Sequence, residues 1–113
     1  IRIVRFESYG CNQNRISMIT RIVKMTFRID QTSAFEKIFE EVGPEINNFK
    51  GCNGVILYQD KKDHRIFFTF STWTSESDLE NYRQSGLFKG TWQKTKPLFE
   101  EAAQAWTVEN VLK

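Results

Sequence analysis

The sequence predicts an α+β fold with the element order β-α-β-β-α-β, the ferredoxin-like split arrangement. Three observations lead there. A two-residue alternation of apolar and polar side chains runs from Ile19, and a stripe of apolar residues at helical spacing follows from Phe35 to Ile46. Two strand-like runs then flank a polar tip at residues 60–64, ahead of a second helical region and a terminal strand. A length of 113 residues suits one domain. With 40% hydrophobic and 27% charged residues, the chain belongs with folded proteins and not with disordered ones.

The first seventeen residues differ from the rest. Ile1 to Phe6 alternates apolar and basic residues, and Ser8 to Asn14 reads as loop. The stretch has no apolar run of the signal-peptide kind. We expect residues 1–17 to be a leader or extension outside the core, and residues 18–113 to be the single domain, with Met18 at its start. The alternative is an extra strand or arm that docks on a partner subunit.

In the first strand of the core, Val23, Met25, Phe27 and Ile29 share one face, with Lys24, Thr26 and Arg28 on the other. The helix after it carries Phe35, Ile38, Phe39, Val42 and Ile46 inward, and Gly43-Pro44 is expected to break or kink it, since Pro lacks the N–H that the helix ladder uses. Turn residues 50–54 lead into a strand at 55–59. Residues 65–73 (RIFFTFSTW) carry the strongest strand signal, and both faces of that strand are partly apolar, so both are expected to be covered. Ser75 to Asp78 fits a helix entry, placing a helix from about Ser77 to Gln84. Ser85-Gly86 interrupts it and Leu87–Lys96 resumes. Pro97 is expected to start a further helical turn carrying Phe99 and Ala102-Ala103, with the last strand at Trp106–Leu112.

Charge and composition exclude several function classes. Residues 1–17 hold three arginines against Glu7, which accounts for the whole net charge of +2. The neutral body offers no electrostatic footprint for a phosphate backbone, so no nucleic-acid partner is expected. No apolar run approaches the roughly 20 residues that span a bilayer, so no membrane helix is expected. Two cysteines, Cys11 and Cys52, without a CxxC motif, favour a reduced, cytoplasmic protein. One histidine, His64, and no Cys/His cluster leave no metal site, and there is no flavin or nicotinamide fingerprint. The expected cofactor is therefore none. The candidate chemistry is aromatic: Trp and Tyr combine flat apolar faces with polar tips, which suits a pocket for a flat ligand.

Residues 69–90, TFSTWTSESDLENYRQSGLFKG, carry a resemblance to a known family. An aromatic strand ends in Trp73, a Ser/Glu-rich cap follows, and Tyr82, Ser85 and Phe88 recur along the helix. With Ile22–Phe27 as first strand and Phe35–Phe49 as first helix, the likeness covers nearly all of residues 18–113. On these features the chain resembles the antibiotic biosynthesis monooxygenase family of dimeric α+β barrel proteins. The resemblance implies a homodimer with two sheets packed face to face, and a pocket between sheet and helices in each subunit. It also implies an oxidoreductase: members oxidise polyketide-derived aromatics with dioxygen and neither metal nor flavin, and others degrade haem.

Haem-degrading members place an Asn in the first strand, a Trp in the second helical region and a haem-ligating His ten residues later. These positions fall here on Lys24, Tyr82 and Trp92, and none matches, so the axial ligand is missing. Quinone-forming members place a Trp near the end of the third strand, which Trp73 matches, with an Asn shortly before it, where Thr69 or Ser71 stands. The resulting candidates are Trp73 and Tyr82 as catalytic residues, with Thr69, Phe88, Trp92 and Phe99 lining the pocket. The expected function is cofactor-independent oxygenation of a small aromatic or polyketide-like compound. The alternative is a non-catalytic dimer of the same fold that binds a small molecule.

Overall fold

A computed structural model describes residues 3–6 and 18–112. The elements are β1 (Ile3–Phe6), β2 (Ile19–Phe27), α1 (Thr32–Asn47), β3 (Cys52–Gln59), β4 (Ile66–Trp73), α2 (Glu76–Arg83), α3 (Gly86–Thr95) and β5 (Phe99–Glu109). The strands form one sheet in the order β1-β3-β4-β2-β5, with every neighbouring pair antiparallel. From β2 onward the chain follows the β-α-β-β-α-β order, and the α+β ferredoxin-like class is the observed one. Ile3–Phe6, in the segment expected outside the core, adds a strand to the outer edge of β3. The rest of the leader, with Cys11, lies outside the described residues.

The helices cover one face of the sheet. Phe35, Phe39, Val42 and Ile46 recur along one stripe of α1 and are all buried. They meet the inward parity of the strands: Val23, Met25 and Phe27 from β2, Val55 and Leu57 from β3, and Phe67 and Trp73 from β4. Phe27, fully enclosed, stacks on Phe35 at 4.4 Å and touches Phe67 and Phe99 edgewise or tilted. Such ring pairs contribute about 0.5–1.5 kcal/mol each beyond their burial. No helix of the described residues is long and apolar enough to cross a membrane.

Three local expectations are corrected. Strand β2 ends at Phe27, and Ile29, expected on its inward face, is 69% exposed in a 3-10 turn. The Arg28 N–H still donates to the Leu98 carbonyl at 3.0 Å, next to the Phe27–Phe99 pair, and the chain then turns away from the sheet as the Gln31 N–H donates to the Arg28 carbonyl at 2.8 Å. Helix α1 runs through Pro44 to Asn47 without ending at Gly43-Pro44. Pro44 and Glu40 are both exposed, so the missing ladder bond falls on the wet side while Val42 and Ile46 keep the helix packed. The helical turn after Pro97 spans only Lys96–Leu98, and β5 starts at Phe99, seven residues before the expected Trp106. Most of β5 is solvent-exposed, so EEAAQA has no inward stripe to mark it as a strand; pairing with β2 decides.

Candidate active site

Between the helices and the sheet lies a cavity of about 70 Å³ that opens to solvent. Its apolar wall comes from α1 (Phe35, Phe39, Val42, Ile46), β2 (Val23, Met25) and β3 (Val55). Helix α3 supplies Phe88, Thr91, Trp92 and Thr95, and α2 supplies Tyr82. The sheet floor adds Arg21 from β2 and Thr69 and Ser71 from β4. Each polar floor residue has the parity of the buried side of its strand, and Arg21 stands directly opposite Ser71 in the ladder.

Helix entry places the ring wall. Ser75 caps α2 by accepting the Asp78 N–H at 3.1 Å, and Ser85 caps α3 by accepting the Phe88 N–H at 3.1 Å. The two caps fix the angle between the helices, and Tyr82 meets Phe88 edgewise at 5.2 Å while Phe88 stacks parallel to Trp92 at 6.1 Å. Phe88 and Trp92 are half-buried. A cavity this size lies below the ordinary range of about 300–1,000 Å³ for drug-sized ligands.

Of the residues predicted from sequence, Tyr82, Thr69, Phe88 and Trp92 are brought together around this cavity. Trp73 and Phe99 are not on its wall. Trp73 is fully enclosed behind Tyr82, stacked on it at 4.9 Å, and its indole N–H donates to Ser71 Oγ at 2.9 Å. Its donor thus reaches the cavity only through Ser71. Phe99 packs against Trp92 and Phe27, one layer out.

Electrostatics separates donors from bases. Burial pushes the Tyr82 phenol well above its ordinary range, against the pull of the Arg21 charge, so Tyr82 stays a neutral hydrogen-bond donor at physiological pH. Burial likewise pushes the Cys52 thiol up to about 11, opposed by the Gly54 backbone, so Cys52 is a buried thiol and not a thiolate nucleophile. Thr95 Oγ1 donates to the Thr91 carbonyl at 2.8 Å, which spends its proton within the helix. His64 is exposed at the β3–β4 hairpin, at the end of a strand whose other end carries Trp73. Among the described residues no group of three His, Cys, Asp or Glu side chains has metal-binding geometry.

Arg21 was not singled out by pattern, and Ser71 was named only as the alternative to Thr69 shortly before Trp73. Arg21 carried a signal: it has the parity of Val23, Met25 and Phe27, so an arginine stands on an otherwise apolar face. The apolar lining from α1 looked like ordinary core, and nothing in its spacing distinguishes a cavity wall from packed interior.

The family model of the antibiotic biosynthesis monooxygenases matches residues 18–94. None of the curated proteins is similar enough to count as a relative. Among solved structures, the chain is similar to an inferred antibiotic biosynthesis monooxygenase of Nitrosomonas europaea, with a TM-score of 0.79 at 14% identity, over 84% of this chain and 91% of that one. It is also similar to a conserved protein of Methanosarcina mazei Go1, with a TM-score of 0.81 at 16% identity, over 85% and 95% of the two chains. A third is the Rv0793 protein of Mycobacterium tuberculosis, with a TM-score of 0.79 at 18% identity, over 86% and 98%. At these identities the structural likeness concerns the fold, whereas the family model spans most of the sequence from the first core strand through α3. The chain belongs to the antibiotic biosynthesis monooxygenase family.

Proposed function

We propose that this protein is a cofactor-independent monooxygenase acting on a small, electron-rich aromatic or polyketide-like compound held in the cavity. The observation that carries the reading is the cavity itself: apolar ring walls with hydrogen-bond donors gathered on the sheet floor, in a chain of this family. In such a reaction the substrate supplies the electrons. A substrate CH₂ group that has lost a proton passes an electron to dioxygen, the two radicals join in a C–O bond, and loss of water leaves a carbonyl. One CH₂ and one O₂ thus become one C=O and one H₂O. The protein contributes donors placed where the negative charge sits. Tyr82, Ser71 and Thr69 carry those hydroxyls, and Trp73 acts as a positioning residue by holding Ser71 and backing Tyr82.

Oxygen uptake with a panel of phenols, including an anthrone-like one, tests the proposal. The Trp73→Phe variant, which keeps a ring and removes the N–H, is expected to lower kcat at least tenfold, about 1.4 kcal/mol of barrier, with KM little changed. An unchanged kcat removes Trp73 from the mechanism. Retained binding with no uptake across the panel favours the second reading, a non-catalytic small-molecule binder. The commitment of the Trp73 N–H to Ser71 is the observation on that side.

The reading includes a homodimer formed through the sheet face opposite the helices. Cross-strand pairs put Ile22, Phe70 and Trp106 in one row of that face and Tyr58 and Phe68 in another. Tyr58 and Phe70 meet edgewise at 5.3 Å, and Trp106 and Val108 are 47% and 41% exposed. A row of aromatic side chains that no element among the described residues covers suits a second copy, joined by a twofold so that the same surface meets itself. Light scattering at micromolar concentration is expected to give about twice the 13.3 kDa chain mass, and a stable monomer there overturns the dimer. Phe70→Glu is expected to convert the dimer to a folded monomer.

A further inference from the structure

The cavity floor has a charge that the ring wall does not explain. Among the described lining residues Arg21 is the charged one, with no Asp, Glu, His or Lys beside it on the wall. Its guanidinium carbon lies 5.8 Å from the centroid of the Phe88 ring, a cation–π contact that offsets only part of the cost of leaving water. Ser71 sits across the ladder from Arg21, and its oxygen already accepts the Trp73 N–H, so its own proton remains for a further acceptor. Tyr82 on α2 is the other polar group at this end.

Arg21 alone makes the end cationic. On α2, Arg83 and Glu80 form an ion pair at 3.2 Å whose charges offset each other, and Tyr82 stays neutral. On β3, Cys52 beside Tyr82 stays a thiol. The neighbour of Arg21 on β5 is Thr107, and the lining residues of α1 and α3 do not titrate. A half-buried guanidinium flanked by hydroxyl donors recognises an anion, and a single anionic oxygen can accept charge-assisted hydrogen bonds from the guanidinium and a hydroxyl together. The same wall holds no group able to take a proton from a neutral ligand at physiological pH.

Resting on the reading of this cavity as the ligand site, we infer that it takes its ligand as a preformed organic anion. The anion is the phenolate or enolate of a small acidic aromatic, with Arg21 as counter-ion and the Ser71 hydroxyl as hydrogen-bond donor. The ligand ionises in water and is captured charged. Affinity then follows the ligand's own acidity: across a series of phenols, binding strengthens as pH rises through each phenol's pKa.

A chromophoric probe tests this. p-Nitrophenol absorbs differently as phenol and phenolate, and p-nitroanisole has the same ring and cannot ionise. In the presence of the wild-type protein the bound p-nitrophenol is expected to ionise at a pH at least one unit below that of the free dye. Arg21→Gln is expected to weaken p-nitrophenolate binding at least tenfold and to change p-nitroanisole binding less than twofold, and Arg21→Lys to restore part of the loss. The wild-type titration alone keeps the test decisive if a variant fails to fold. Equal affinity for p-nitroanisole and p-nitrophenolate, or an unshifted dye, overturns the anion site and leaves the cavity as a ligand site. No binding of either compound at millimolar concentration overturns both.

Discussion

Trp73→Ala is expected to destabilise the fold by about 3–5 kcal/mol, the usual cost of emptying a site of this size in a core. For a domain of this length that is a fall in Tm of roughly 10–25 °C by calorimetry. Trp73 is fully buried, stacks on Tyr82 at 4.9 Å and meets Phe49 edgewise at 6.4 Å. Phe49 in turn meets Tyr82 edgewise at 5.4 Å, so the three rings form one block joining the end of α1, the end of β4 and α2. Removing its largest member leaves a cavity that two rigid neighbours cannot fill. The Trp73→Phe variant keeps most of that packing and is expected to lose about 1 kcal/mol with the hydrogen bond to Ser71. A large kcat loss in Trp73→Phe with a small Tm loss separates positioning of Ser71 from support of the fold.

Gly51→Ala is expected to cost about 2–4 kcal/mol, from backbone strain and overpacking together. Gly51 has φ of +87°, and a Cβ built there overlaps the side chain of Asp78. The approach is tight because the turn from α1 into β3 nests against the entry of α2. The Gly51 carbonyl accepts the Thr74 N–H at 2.8 Å, and the Asp78 carboxylate accepts the Ser75 hydroxyl at 3.1 Å. Gly90→Ala in α3 provides the opposite sign: the glycine is helical with nothing within 4 Å of an added Cβ. It is expected to stabilise by up to about 1 kcal/mol. Equilibrium unfolding of both variants checks the pair, and a Gly51→Ala chain as stable as the parent removes the close approach from the account of this turn.

Local pattern carries most of this architecture. The inward parity of β2 and β4, the stripe of α1, the hairpin and the Ser75 cap are each short-range statements, since period and capping are set by a residue and its neighbours within one turn. The element order followed from them, and with it the fold class. The resemblance in residues 69–90 then led to the family, because Trp73, Tyr82 and Phe88 sit at strand-end and helix positions that local structure spaces correctly.

What the tertiary structure decided depends on partners far along the chain. The start of β5 was invisible because a nearly two-sided exposed edge strand has no apolar parity, and only its pairing with β2 makes Phe99–Glu109 a strand. Helix α1 passes Pro44 because burial of Val42 and Ile46 against the sheet outweighs one lost backbone bond on the solvent side. The site depended on the same long-range packing. Trp73, Tyr82 and Ser71 are close in sequence, yet depth sorts them: Tyr82 and Ser71 reach the cavity and Trp73 lies behind them. Arg21 enters from a distant strand, through a register that sets it opposite Ser71. Period determines which side of a strand a residue faces; how deep it lies, and beside which charge, is set by elements packed on it from elsewhere in the chain.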